Sequence, residues 1–173
     1  MATNLRLSMV TLRCTKKLCK YLDVNPANNI ELPTTELGDW YGNLVPTSSG
    51  DLILFISERS LLTVAIPVWE SDNLVPLFRL RIANLLGLIG VNPKIIANEL
   101  RHYNQVKYGK TASRRILGSL NDFAWHYQFK AEKAKGKSDL SLSNVELEMS
   151  QMPCKPIDYR SPSEVAIELL SNS

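Results

Sequence analysis

Apolar and polar residues fall into segments whose period switches between two and about 3.6, and the switches mark out the elements. Residues 9–13 alternate as a short strand does. Thr15 then stands where an N-cap belongs, ahead of a helix over Lys16–Leu22 that turns Leu18 and Leu22 inward. Residues 23–33 hold two prolines and three asparagines and predict a loop. Residues 39–45 read as a strand, Pro46-Thr-Ser-Ser-Gly50 as the turn out of it, and Leu52–Ser57 as an apolar run suited to a strand covered on both faces. Glu58-Arg59-Ser60 interrupts the pattern, and residues 62–68 resume it as another strand. Connections this short predict an antiparallel meander.

Beyond it the period lengthens. Residues 73–88 place Leu74, Leu77, Phe78, Ile82, Leu85 and Leu86 on one helical face, with Ser71 or Asp72 as cap and Gly90 as terminator. Asn92 and Pro93 open a second helix, reaching about residue 103. Residues 105–108 predict a strand that Gly109 ends. Residues 110–137 are mostly helical, with a restart at Gly118-Ser119, because Ser119-x-x-Asp122 matches a capping box. After it Leu120, Phe123, Ala124, Tyr127 and Ala131 form an apolar stripe, and His126, Lys130, Lys133 and Lys137 occupy another face. Residues 145–149 alternate apolar and acidic, the pattern of a strand, and Ser161-Pro-Ser-Glu164 starts a last helix through Leu170. The expected fold is α+β: a single domain over residues 1–173, with a mixed, mainly antiparallel sheet of five or six strands packed by helices. Residues 1–8 read as a loose tail and 134–140 as an internal linker.

Composition narrows the class. A hydrophobic share of 45% against 21% charged residues excludes a disordered chain. No run approaches the roughly 18 uncharged apolar residues of a membrane span, and the first ten residues lack the apolar core of a secretory signal, so a cytoplasmic protein is expected. Cys14, Cys19 and Cys154 are odd in number and lack Cys-x-x-Cys spacing, which speaks for free thiols over a disulfide framework or a zinc site. No metal and no cofactor is expected. The net charge of +3 is distributed unevenly. Residues 1–106 carry +1; residues 107–137 carry +6, from eight basic and two acidic side chains; residues 138–173 carry −4.

The candidate chemistry follows that map. Gly109-Lys110-Thr111 resembles the end of a P-loop, but the earlier glycine such a loop needs is replaced by Asn104. What survives is phosphate binding by Lys110, Arg114 and Arg115 at a helix start, together with backbone amides. Tyr103, Tyr108, Trp125, Tyr127 and Phe129 are interleaved with the basic residues, a pattern of nucleic-acid contact, although aromatics at helical spacing belong as readily to a core. Ser119, Asp122 and His126 have the residue types of a catalytic triad but crowd one short stretch without a nucleophile elbow. Asp39, Glu58 and Asp122 are the carboxylates that would have to converge for a metal-dependent nuclease. Glu58-Arg59 reads as an ion pair closing a turn, Trp40 and Tyr41 as core. In Asp158-Tyr-Arg160 the tyrosine is expected to pack and the arginine to pair with a carboxylate.

Four segments, Met9-Val-Thr-Leu-Arg-Cys-Thr-Lys-Lys-Leu18, Leu37-Gly-Asp-Trp-Tyr-Gly-Asn-Leu44, residues 52–67 and Tyr108-Gly-Lys-Thr-Ala-Ser-Arg-Arg-Ile-Leu-Gly-Ser-Leu-Asn121, together resemble a bacterial family of uncharacterised proteins. That family is a domain of unknown function, and some of its members resemble the front half of larger plasmid-borne reading frames. The resemblance implies a bacterial cytoplasmic setting and an accessory role on mobile elements or in defence; it brings no catalytic residue. The expected function is a non-enzymatic binding module that contacts nucleic acid or a protein partner through Lys107, Lys110, Arg114, Arg115, Lys130 and Lys133. A nuclease-like enzyme and a homodimer pairing the acidic end with the basic segment of a second copy are the alternatives.

Overall fold

The computed structural model describes residues 9–28, 31–134 and 141–172. The expected tail at 1–8 and most of the 134–140 linker, with Lys135 and Lys137, lie outside the described residues.

Five strands form one mixed sheet in the order β4-β3-β2-β1-β5: β1 Val10–Cys14, β2 Trp40–Val45, β3 Leu52–Ser57, β4 Thr63–Pro67 and β5 Val106–Lys110. The meander β2-β3-β4 is antiparallel, with six and five paired residues. β1 pairs in parallel with β2 over three residues and with β5 over five, so antiparallel pairing predominates. β5 runs to Lys110, past the expected stop at Gly109: Gly109 pairs with Arg13, and the Tyr108 carbonyl accepts from the Ala27 N–H on its outer side.

Alternation along the strands divides the core into two layers. Leu12, Trp40, Phe55 and Val64 face one side, under α1 Lys16–Leu22, α2 Leu74–Leu88, α3 Pro93–Leu100 and α6 Pro162–Ser171. Tyr41, Leu54, Ile56 and Ala65 face the other, under α4 Arg114–Lys133 and α5 Leu142–Ser150. Trp40 and Tyr41 are core, as expected, and so are Cys14 and Cys19, which are free thiols. Gly42 has no room for a side chain, because a Cβ there would stand 2.5 Å from Phe55 Cε1 and 2.9 Å from Leu18 Cδ2. That absence lets α1 settle on the sheet.

Thr15 caps α1 through the Leu18 amide, Asn92 caps α3 through Lys94, and Ser161 with Glu164 closes a capping box on α6. Other elements depart from expectation. Neither Ser71 nor Asp72 caps α2; a 3₁₀ turn, Val68–Asn73, leads into it. The helix after Pro93 gives way to a 3₁₀ turn at Arg101–Tyr103. No restart occurs at Gly118-Ser119: α4 is continuous and capped by Ser113, whose Oγ accepts from the Ile116 amide. Ile116 in the first turn and Leu120 and Phe123 beyond it pack into the same layer, and that burial overrides the glycine. Residues 145–149 are helical, within α5. Val145 and Met149 are buried one turn apart, and Glu146, which gave the stretch its polar alternation, is itself buried. Tyr159 does not pack: it is 68% exposed, at positive φ, whereas Arg160 pairs with Glu168 as expected.

Candidate functional site at the end of the parallel strands

β1 and β5 lie side by side, parallel, with Cys14 opposite Lys110, so both end at the same level. The chain leaves β1 for α1 on one face of the sheet and leaves β5 for α4 on the other. Neighbouring parallel strands whose following helices diverge create a crevice at their carboxyl ends, the place where α/β sheets bind ligands.

That crevice is basic. Lys16 and Lys17 occupy the first turn of α1, Arg114 and Arg115 the first turn of α4, and all four are exposed. Neither first turn holds an acidic residue. Lys110 closes β5 beside them, and Arg13 braces the strand ends by donating from its Nη1 to the Lys110 carbonyl at 3.0 Å. None of Lys16, Lys17, Lys107, Lys110, Arg114 and Arg115 is in an ion pair among the described residues. The partial positive charge of a helix N-terminus disfavours cations, by about 0.3–1 kcal/mol each, and favours an anion.

The six basic residues singled out from sequence do not form one surface. Lys110, Arg114 and Arg115 share the crevice. Lys107, three residues earlier on β5, leaves the opposite face of that strand roughly 10 Å away. Lys130 and Lys133 sit on α4 about 24 Å beyond Arg114 along the axis. Lys130 pairs with Glu148 at 2.5 Å, and the Lys133 ammonium lies 4.7 Å from the centre of the Phe129 ring. Sequence reasoning missed Lys16, Lys17 and Arg13. Two lysines directly after a strand and its N-cap were a usable signal; the parallel pairing that sets them beside Lys110 was not legible.

The carboxylates also separate. Asp39 and Glu58 stand directly opposite one another where β2 and β3 extend beyond their last ladder pair: the Glu58 N–H donates to the Asp39 carbonyl, and Glu58 Oε1 accepts from the Asp39 N–H at 3.1 Å. Arg13 Nε donates to Asp39 Oδ2 at 2.8 Å, which ties the pair to the crevice. Burial raises the pKa of both, Asp39 adds to the rise at Glu58, and Arg13 and Arg59 oppose it. Glu58 and Arg59 do not form the expected ion pair, because Arg59 donates to the Thr35 and Glu36 carbonyls and pins the turn that carries Gly38. Asp122 lies elsewhere, on α4 beside Cys154, and no group of three or more metal-ligating side chains exists among the described residues. Ser119 is buried on α4 and makes no hydrogen bond with His126 among the described residues. Of the aromatics, Tyr103 and Tyr127 are core and Tyr108 is half-buried, whereas Trp125 is 58% and Phe129 43% exposed, so the core reading holds for the first two and not for the last two.

The fold defines a single-domain α+β protein with a cluster of exposed basic residues at the carboxyl end of its parallel strands. The chain belongs to the domain of unknown function DUF6933, whose family model matches residues 11–165. Comparison with curated proteins and with solved structures finds no match. Among the described residues no helix is long and apolar enough to cross a membrane.

Proposed function

We propose that this protein is a non-enzymatic module that binds the phosphate backbone of nucleic acid at the crevice between α1 and α4. The observation that carries the proposal is the placement of Lys16, Lys17, Arg114 and Arg115 in two acid-free first turns at the same end of adjacent parallel strands. Cations so placed are uncompensated until an anion arrives, and Lys110 adds a fifth beside them. Lys107 extends the charge along β5, although a lysine on an edge strand also deters pairing with another chain. A bacterial cytoplasmic setting and an accessory role on mobile elements or in defence belong to the same proposal, on the strength of the sequence resemblance.

A protein partner or a second copy fits less well, because four carboxylates of the acidic end are engaged within their own chain. Glu146 holds Arg81, Glu148 holds Lys130, Glu168 holds Arg160, and Glu164 serves a capping box.

The test is an electrophoretic shift of labelled DNA and RNA across salt. Four phosphate contacts predict a slope of log affinity against log salt of about −3, and Arg114→Ser with Arg115→Ser should lower its magnitude by about one to two. A flat salt response overturns the proposal. The facing pair Asp39 and Glu58 favours a second reading, a nuclease-like enzyme. Arg13 and the Asp39 amide already engage those carboxylates, which argues for a bracing role. Cleavage of labelled RNA or DNA on addition of magnesium or manganese, lost in Asp39→Asn, would decide for the enzyme.

A further inference from the structure

Helical spacing puts Arg115, Asp122, Trp125, His126, Phe129 and Lys133 along one side of α4. Phe129 and the Trp125 indole are nearly parallel, with centroids 5.4 Å apart and planes at 12°, and His126 meets Trp125 edge-on at 5.1 Å. Large aromatics left in solvent forgo roughly 1.5–3 kcal/mol each of burial, so their exposure asks for an occupant.

Beside Trp125 lies a groove of about 350 Å³, between α4 and the segment 152–156, with mostly apolar walls that include Leu61, Phe123, Met152 and Cys154. Two features give it polarity. Asp122 stands in the wall, and its carboxylate makes no hydrogen bond or ion pair among the described residues. Arg115 stands at the mouth, where its Nη1 donates to the Pro156 carbonyl of the opposite wall at 3.4 Å. Arg115 also belongs to the first turn of α4, so one side chain serves both the basic cluster and the groove.

We infer that the groove seats one unpaired base of a single-stranded nucleic acid, stacked on Trp125, with its amino edge toward Asp122 and the adjoining phosphate at Arg115. This deepens the phosphate-binding reading and rests on it. Apolar walls with an aromatic face suit a planar ring, and every base offers a π-face to such a platform. An acceptor-only carboxylate selects an edge that presents amino donors, which cytosine has and thymine lacks. Bases in a duplex keep both ring faces covered, so the occupant must come from a single strand.

Fluorescence anisotropy with labelled oligo-dC, oligo-dT and a blunt duplex, at one low salt concentration, tests this. Wild type should bind oligo-dC more tightly than oligo-dT and either more tightly than the duplex. Trp125→Ala should weaken single strands roughly ten-fold and leave the duplex unchanged. Asp122→Ala should erase the preference for oligo-dC. Both positions are exposed, and circular dichroism checks that the variants keep the wild-type fold. If Trp125→Ala leaves single strands unaffected while Arg114→Ser weakens every nucleic acid, the base seat is wrong and the phosphate reading stands. An unchanged dC preference in Asp122→Ala overturns the assigned edge. If wild type binds none of the three probes, both readings fall, and a peptide or protein becomes the occupant to seek.

Discussion

Glu146 shows how one side chain couples burial, charge and pH. It is fully buried on α5, where Oε1 accepts from the Ala65 N–H of edge strand β4 at 2.9 Å and from Arg81 Nε of α2 at 2.7 Å. One carboxylate thereby joins a helix from each layer to the strand edge between them, and covers an amide that could recruit a foreign strand. Its second oxygen, Oε2, is buried without a partner among the described residues. Burial outweighs the pull of Arg81 and raises its pKa from 4.5 to about 7. The folded state therefore holds a proton that the unfolded chain has released between those two values, and stability falls as pH rises through that window. Asp39 and Glu58 are raised too and act in the same direction, so the decisive quantity is the difference between wild type and Glu146→Gln. Denaturant unfolding from pH 4.5 to 8 should show wild type losing on the order of 2 kcal/mol more than Glu146→Gln. Parallel curves for the two proteins would mean that Glu146 stays ionised throughout.

At the scale of elements, α4 carries the candidate site and also the widest gap between local sequence signals and tertiary packing. Gly118 lies in its interior, and a Cβ there would meet nothing within 4 Å. Gly118→Ala should thus stabilise the protein by about 0.5–1 kcal/mol, read as a raised midpoint in thermal unfolding. A destabilised variant would show that the helix needs a weak point there. The expected restart failed because a capping-box pattern is a local signal, and Ile116, Leu120 and Phe123 continue one buried stripe through it. The apolar run Leu52–Ser57 was legible because a fully covered strand has no polar face to confuse its pattern. The segment 145–149 alternates as a strand would because Glu146 is a buried acid, and an acidic residue in a sequence ordinarily marks a solvent-facing position. The proposed phosphate site at Lys110, Arg114 and Arg115 was visible as an incomplete Gly-Lys-Thr motif. Its other half, Lys16 and Lys17, lies far away in sequence, and only the pairing of β1 with β5 brings it alongside.

Across the whole molecule, the sheet separates two buried layers, and the proposed binding surface lies at its strand ends, where α1 of one layer and α4 of the other begin. Hydrogen bonds deep in the fold are mutually satisfied: Trp40 Nε1 donates to Tyr103 Oη, Tyr103 donates to Glu99, and Glu99 also holds the Glu36 and Leu37 amides that shape the approach to β2. Local rules are broken at the carboxyl end of the parallel strands, where four cations stand on two positive helix ends. Such violations concentrate where function demands them. Arg114→Glu tests the idea in both directions at once. It places an acid on the α4 N-terminus, next to Lys110, and should raise folding stability by about 0.3–1 kcal/mol. The same change should weaken nucleic-acid binding and reduce its salt dependence, since one phosphate contact becomes a repulsion. Denaturant titration and the shift assay on a single preparation give both numbers. A variant that is more stable and equally competent to bind would place the binding surface elsewhere; one that is less stable would show that Arg114 serves the fold rather than a ligand.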